Sequence, residues 1–132
     1  MEQLNEKSIA ILKGKNFAYI ATVSPNGAPQ VTPVWIDMDG KNILVNTAIG
    51  RAKEKNLTRD PRVAISVHDA ANPYSMVSLN GKVIDKITGK KADDHIDSLS
   101  LKYTGNPVYQ GRTAAEHRVI LVIQPTRIRR QQ

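Results

Sequence analysis

The chain has 132 residues, 40% of them hydrophobic, with no cysteine and a formal net charge of +7. That length suits one domain over residues 1–132 with a real core. The lack of cysteine excludes thiol catalysis, disulfides and Cys-ligated zinc or iron–sulfur centres, and the charge favours anionic partners such as a phosphorylated cofactor, nucleic acid or an acidic surface. No apolar run approaches the ~20 residues of a membrane span. The opening MEQLNEKSIAILKGK is interrupted by acidic and polar residues, unlike a signal peptide, so the expected setting is cytoplasmic and away from membranes.

Leu4, Ser8, Ile11 and Leu12 fall at helical spacing, and Gly14 is a natural stop. Phe17 to Val23 reads as a strand, Ser24-Pro25-Asn26-Gly27 as a turn, and Ala28 to Asp37 as the returning strand. On that second strand Val31, Pro33 and Trp35 share one face, with Gln30, Thr32, Val34 and Ile36 on the other. Pro33 has no N–H for a ladder, which places it at an edge, at a bulge or beside a ligand. Core packing is the ordinary role for Trp35, and its spacing also allows cofactor contact. Asp39-Gly40 signals a tight hairpin into a third strand, Lys41 to Thr47.

The next stretch, NTAIGRAKEKNLTRDPRVAISV, organises the rest. Asn46 and Thr47 offer side-chain hydrogen bonds, Gly50 permits close backbone approach, and Arg51 and Lys53 put two cations at the start of a short helix. Helix N-termini also present free N–H groups and a positive dipole end, so this is a candidate anion site. An ordinary solvated surface helix fits the local pattern as well. Asp60-Pro61 ends that helix, and Val63, Ile65 and Val67 then alternate as a strand.

HDAANPYS reads as a loop, and Met76 to Ile87 as one long strand with Gly81 at a bulge, in preference to two short arms around Asn80-Gly81. Thr88 is a fair N-cap for a helix over Lys90 to Tyr103, with Ala92, Ile96, Leu99 and Tyr103 along one face. Asp93, Asp94 and Asp97 read as a solvated acidic face. Arg118 to Gln124 is an apolar strand that Pro125 closes, and Arg127, Arg129 and Arg130 read as a disordered basic end in preference to extra cations for a polyanionic ligand. Some six strands joined by hairpins argue against a parallel sheet and for a small antiparallel barrel with helices outside.

Taken in order, FAYIATVSPNGAPQVTPVWIDMDG, NTAIGRAKEKNLTRDPRVAISV, SLNGKV and KYTG resemble the pyridoxamine 5'-phosphate oxidase-like, FMN-binding split-barrel family, and within it the small branch with deazaflavin-dependent reductases. Asn26 stands where the family often has Asp, and either residue suits the turn. The resemblance implies a mainly β, Greek-key-like antiparallel split barrel of about six strands, forming a homodimer with two cofactor sites at its interface. It implies that Arg51 and Lys53 hold the cofactor phosphate beside Gly50. Gln30, Val31, Thr32, Pro33, Val34 and Trp35 would line the ring, and Asn46 and Thr47 would lie near ring and ribityl chain. Tyr74 and Met76 would come from the second subunit.

The implied activity is hydride transfer between FMN, or alternatively coenzyme F-420, and a small conjugated substrate. The cofactor carries that chemistry and the protein positions it and excludes water, so no catalytic triad is expected. His68, His95 and His117 lack metal-ligand spacing and read as structural. The competing expectation is a non-catalytic flavin-binding or carrier module, or a basic nucleic-acid-binding barrel. Aromatic residues make up only 5% of the chain, too few for base stacking to favour nucleic acid.

Overall fold

A computed structural model describes residues 4–132. The order is α1 (Glu6–Lys13), β1 (Ala18–Val23), β2 (Pro29–Val34), β3 (Ile36–Asp39), β4 (Asn42–Ala48), α2 (Ala52–Arg59), β5 (Arg62–Asp69), β6 (Asn72–Thr88), α3 (Lys90–Thr104) and β7 (Arg118–Gln131). The seven strands form one sheet in the order β2-β1-β5-β6-β7-β4-β3, and every pairing is antiparallel. Two hairpins turn at glycines with positive φ, Gly27 (86°) and Gly40 (59°), a conformation without steric cost only for glycine.

β2 and β3 are the two edges of the sheet, yet a single residue, Trp35, joins them. A flat sheet cannot place neighbouring residues on opposite edges, so the sheet curls until its edges meet at Trp35. The extended run expected over Ala28 to Asp37 is therefore one continuous segment that serves both edges. α3 holds this seam closed. The Tyr103 hydroxyl donates to the Asn16 carbonyl (2.7 Å) and accepts from the Ile36 N–H (3.2 Å), and the Lys102 ammonium donates to the Ile36 carbonyl (2.8 Å).

The barrel interior is filled from alternate positions. Ile20, Val45, Ile65, Val67, Val77, Leu79, Leu121 and Ile123 are all essentially buried, and Leu12 of α1 joins them. The face of α3 read from the sequence packs against the outside. Ala92 meets Ile120 and Val122, while Ile96, Leu99 and Tyr103 meet Trp35 and Tyr109.

Three local expectations are corrected. β6 begins at Asn72, so HDAANPYS is mostly strand, with a tight turn at Ala70 and Ala71 and a register shift at His68/Asp69. Thr88 belongs to β6, and Gly89 occupies the N-cap of α3 without a side-chain cap. β7 runs through Pro125 to Gln131, so Arg127, Arg129 and Arg130 lie in a strand paired with Met76–Asn80. Pro125 is tolerated because it sits opposite Gly81, where the register slips and the ladder is already broken. The bulge expected at Gly81 is present. Among the described residues, no helix is long and apolar enough to cross a membrane.

Candidate functional site

A cleft of about 340 Å³ opens beside the seam, bounded by β2, β4, α3 and the start of α2. One end is aromatic. Tyr103 stacks between Phe17 (centroids 5.6 Å) and Trp35 (5.5 Å), and Tyr109 meets Trp35 edge-on at 6.0 Å. Such offset stacks favour further planar rings at their open faces, and Phe17 is 53% exposed. Val34, Pro33, Ile96 and Leu99 complete this apolar end.

The other end is cationic. Arg51, Lys53 and Arg118 line it together. Burial pulls the Lys53 ammonium below its usual pKa, and the Arg51 and Arg118 guanidiniums push it further the same way. Among the described residues no carboxylate pairs with Lys53. Arg118 is only 6% exposed. Its Nε donates to Asn46 Oδ1 (2.9 Å), a guanidinium nitrogen donates to Glu116 Oε2 (3.1 Å), and the group lies over the Tyr109 ring at 5.3 Å. Glu116 uses its other oxygen on Arg51. These hydrogen bonds keep the Glu116 carboxyl below its usual pKa, the Arg51 contact foremost and Arg118 after it, against the opposing effect of burial.

Asn46 orients this end. Its Nδ2 donates to the Ala92 carbonyl (2.9 Å) and lies 3.1 Å from His95 Nδ1. With Nδ1 accepting, the His95 proton belongs on Nε2, which is buried without a partner among the described residues. Burial accordingly lowers the His95 pKa, with the Asp37 charge opposing. A smaller cleft of about 110 Å³, lined by Thr22, Gln30 and Thr32, shares Arg51 and Lys53 with the first. Two of its lining side chains are held by Asn56, whose amide donates to Gln30 Oε1 (2.9 Å) and Thr22 Oγ1 (3.1 Å).

Of the residues singled out in the sequence, Pro33, Val34, Trp35, Asn46, Thr47, Arg51 and Lys53 meet in the main cleft, and Gln30 and Thr32 in the smaller one. The Gly50 N–H donates to Glu54 Oε1 (2.9 Å) at the head of α2. Val31 is 64% exposed, on the same face of β2 as Pro33, and is paired with Ala21. Tyr74 is 77% exposed, Met76 pairs with His68 and Gln131, and neither is among the residues lining the two clefts described above. Sequence reasoning missed Phe17, Ile96, Leu99, Tyr109 and Arg118 as cleft residues. The one available signal was an arginine opening the otherwise wholly apolar run RVILVI. Asp97 also proves structural, not merely solvated, since it accepts from the Tyr109 N–H (2.9 Å) and from Arg112 (2.6 Å) and so pins the loop that carries Tyr109.

A curled seven-stranded antiparallel sheet with three short helices, and a cleft at its seam, is the split-barrel architecture of the flavin- or deazaflavin-binding oxidoreductase type. Residues 4–132 match the sequence model of the pyridoxamine 5'-phosphate oxidase family, and the chain belongs to it. It is similar in structure to an F-420 reductase, with a TM-score of 0.84 and 29% identity, over 96% of this chain and 98% of that one. A conserved hypothetical protein from Mycobacterium tuberculosis superimposes with a TM-score of 0.76 at 24% identity, covering 100% of this chain and 90% of the other. HupZ from Group A Streptococcus does so at 0.70 and 17%, covering 97% and 94%. At those two identities the likeness is one of fold.

Proposed function

We propose that this protein is an oxidoreductase that binds a phosphorylated flavin or deazaflavin in the seam cleft and passes hydride between its ring and a small conjugated substrate. The observation that carries the reading is the polarity of the cleft. Lys53 lies half-buried between Arg51 and Arg118 without a carboxylate of its own, while the far end is walled by stacked aromatic rings. A cation cluster of this kind suits a phosphate, which offers charge-assisted hydrogen-bond acceptors, and an apolar slot with few polar groups suits a planar ring. Family membership supports a cofactor of this class. FMN is our first assignment, and the similarity to an F-420 reductase keeps coenzyme F-420 as the alternative.

When bound, the cofactor supplies the hydride chemistry. The protein's own residues bind and orient it. Arg51 and Lys53 hold the phosphate, Asn46 and Thr47 fix the polar middle, and Val34, Pro33 and Trp35 shield the ring from water. A second cleft of about 290 Å³, lined by Phe17, Tyr19, Tyr103, Lys15 and His68, adjoins the aromatic end through Phe17 and is our candidate place for substrate. Val31, Tyr74 and Met76 enter this scheme through a second copy of the chain.

The test is a titration of the purified protein with FMN and coenzyme F-420 in parallel, read by quenching of the only tryptophan, Trp35. One of the two is expected to bind and quench. The double variant Arg51→Ala/Lys53→Ala is expected to stay folded and to lose binding by a hundredfold or more, since two charge-assisted contacts at ~1.5–3 kcal/mol each are removed. Wild-type affinity in the folded double variant would sink the phosphate assignment.

A further inference from the structure

We infer that Glu116 is a specificity-determining residue, an internal carboxylate that competes with the cofactor phosphate for Arg51 and Arg118. The inference rests on the phosphate reading above. Glu116 reaches both guanidiniums at once, one through each carboxylate oxygen. Of the three cations lining that end of the cleft these are two, and the third, Lys53, has no carboxylate partner among the described residues. A ligand phosphate entering there meets Lys53, unpaired among the described residues, and two cations already engaged by a side chain of the same molecule.

An intramolecular competitor acts at a high effective concentration. A ligand that only replaced it like for like, such as a second carboxylate, would therefore gain little. A phosphate gains more, because its extra charge and oxygens also reach Lys53. Glu116 is also free to leave. It lies on the segment between α3 and β7, where residues 110–115 are exposed, and its partner Arg51 is half-exposed. Arg118 keeps its orientation without Glu116, through Asn46 and the Tyr109 ring. Glu116 thus lowers the affinity of the site for phosphate and makes loading reversible, so that the cofactor exchanges rather than staying permanently bound.

The experiment titrates wild type and Glu116→Gln with two ligand pairs, FMN against riboflavin and coenzyme F-420 against its phosphate-free deazaflavin alcohol. In the pair that binds, Glu116→Gln is expected to tighten the phosphorylated ligand about fivefold, the upper range for releasing a partly exposed ion pair. The phosphate-free ligand should change by less than twofold. Glu116→Ala, run alongside with its melting temperature, guards against an effect special to glutamine. Unchanged or weaker binding of the phosphorylated ligand in both folded variants would overturn the role of Glu116 and leave the phosphate reading standing. A wild type that holds both members of a pair equally, or neither pair, would instead remove the phosphate reading itself.

Discussion

Glu54 sits on the first turn of α2, next in sequence to Lys53, with the Gly50 N–H (2.9 Å), the Thr58 hydroxyl (2.6 Å) and the Lys86 ammonium (3.1 Å) all donating to its carboxylate. The Thr58 and Gly50 hydrogen bonds, with help from Lys86 and against burial, bring its pKa from 4.5 down to about 2. The folded value lies below the unfolded one. Its contribution to stability is therefore complete above about 4.5 and is lost as the pH falls towards about 2. Glu54→Gln should cost about 2 kcal/mol at neutral pH, the scale for hydrogen bonds to a charged group. That difference from wild type should shrink steadily in urea unfolding curves taken from pH 5 to pH 3. A constant difference across that range would mean that the charge of Glu54 is not what holds the Gly50 turn. Asn46 is the corresponding residue on the cleft side. Asn46→Leu removes the acceptor for Arg118 Nε and the donor to His95. It should weaken cofactor binding at least tenfold, as a buried guanidinium loses an orienting partner.

The elements were legible to different degrees, for physical reasons that particular residues show. The amphipathic face of α3 and the β-alternation of Val63, Ile65 and Val67 follow from one period each, and both were found where expected. The last strand misled. Arg127, Ile128 and Arg129 alternate as a strand should, and Ile128 is 6% exposed inside the main core, but a proline before them and three arginines over residues 127–130 resemble a frayed end. What makes Pro125 acceptable is Gly81 on another strand, and no local pattern carries that pairing. The readable part of the cleft comes from two contiguous runs, Pro33 to Trp35 and Asn46 to Lys53. Phe17, Tyr109 and Arg118 come from three distant segments that only the closure of the barrel brings together. Deleting residues 126–132 removes Ile128 from the core and the partners of Met76–Asn80. The shortened chain should lose ~3 kcal/mol or more, the scale of a large buried side chain alone, seen as a clear fall in melting temperature. A tail without structural role would leave that temperature unchanged. Gly81→Ala should cost about 1–3 kcal/mol as an overpacking change, because its new Cβ would fall 2.7 Å from the Gln124 carbonyl oxygen and 2.9 Å from Ile123 Cγ2.

At the scale of the whole molecule, the outer face of β1 and β2 is the feature that one copy leaves unexplained. Tyr19 is paired across the strands with Pro33 and Ala21 with Val31, so these side chains form one continuous surface. Tyr19 is 43% and Val31 64% exposed, and β2 has no buried position along its length. Water-facing strands ordinarily alternate apolar with polar residues, and grouped exposed apolar side chains mark an interface. Pro33 of this surface also borders the seam cleft, so a second copy seated on this face would stiffen the strand that lines the ring. It could also bring Tyr74 and Met76, which lie outside the seam cleft of their own copy, to the neighbour's site. Val31→Glu places a charge in the middle of that surface without touching the barrel interior, so folding should survive, with a melting temperature close to that of the wild-type monomer unit. Light scattering should show wild type at twice the chain mass and Val31→Glu at the single mass, and cofactor affinity should drop at least tenfold with the loss of the second copy. A variant that stays dimeric with full affinity would move the contact elsewhere. A variant that becomes monomeric yet binds cofactor as well as wild type would show that one barrel holds the complete site, and would leave Tyr74 and Met76 without a part in it.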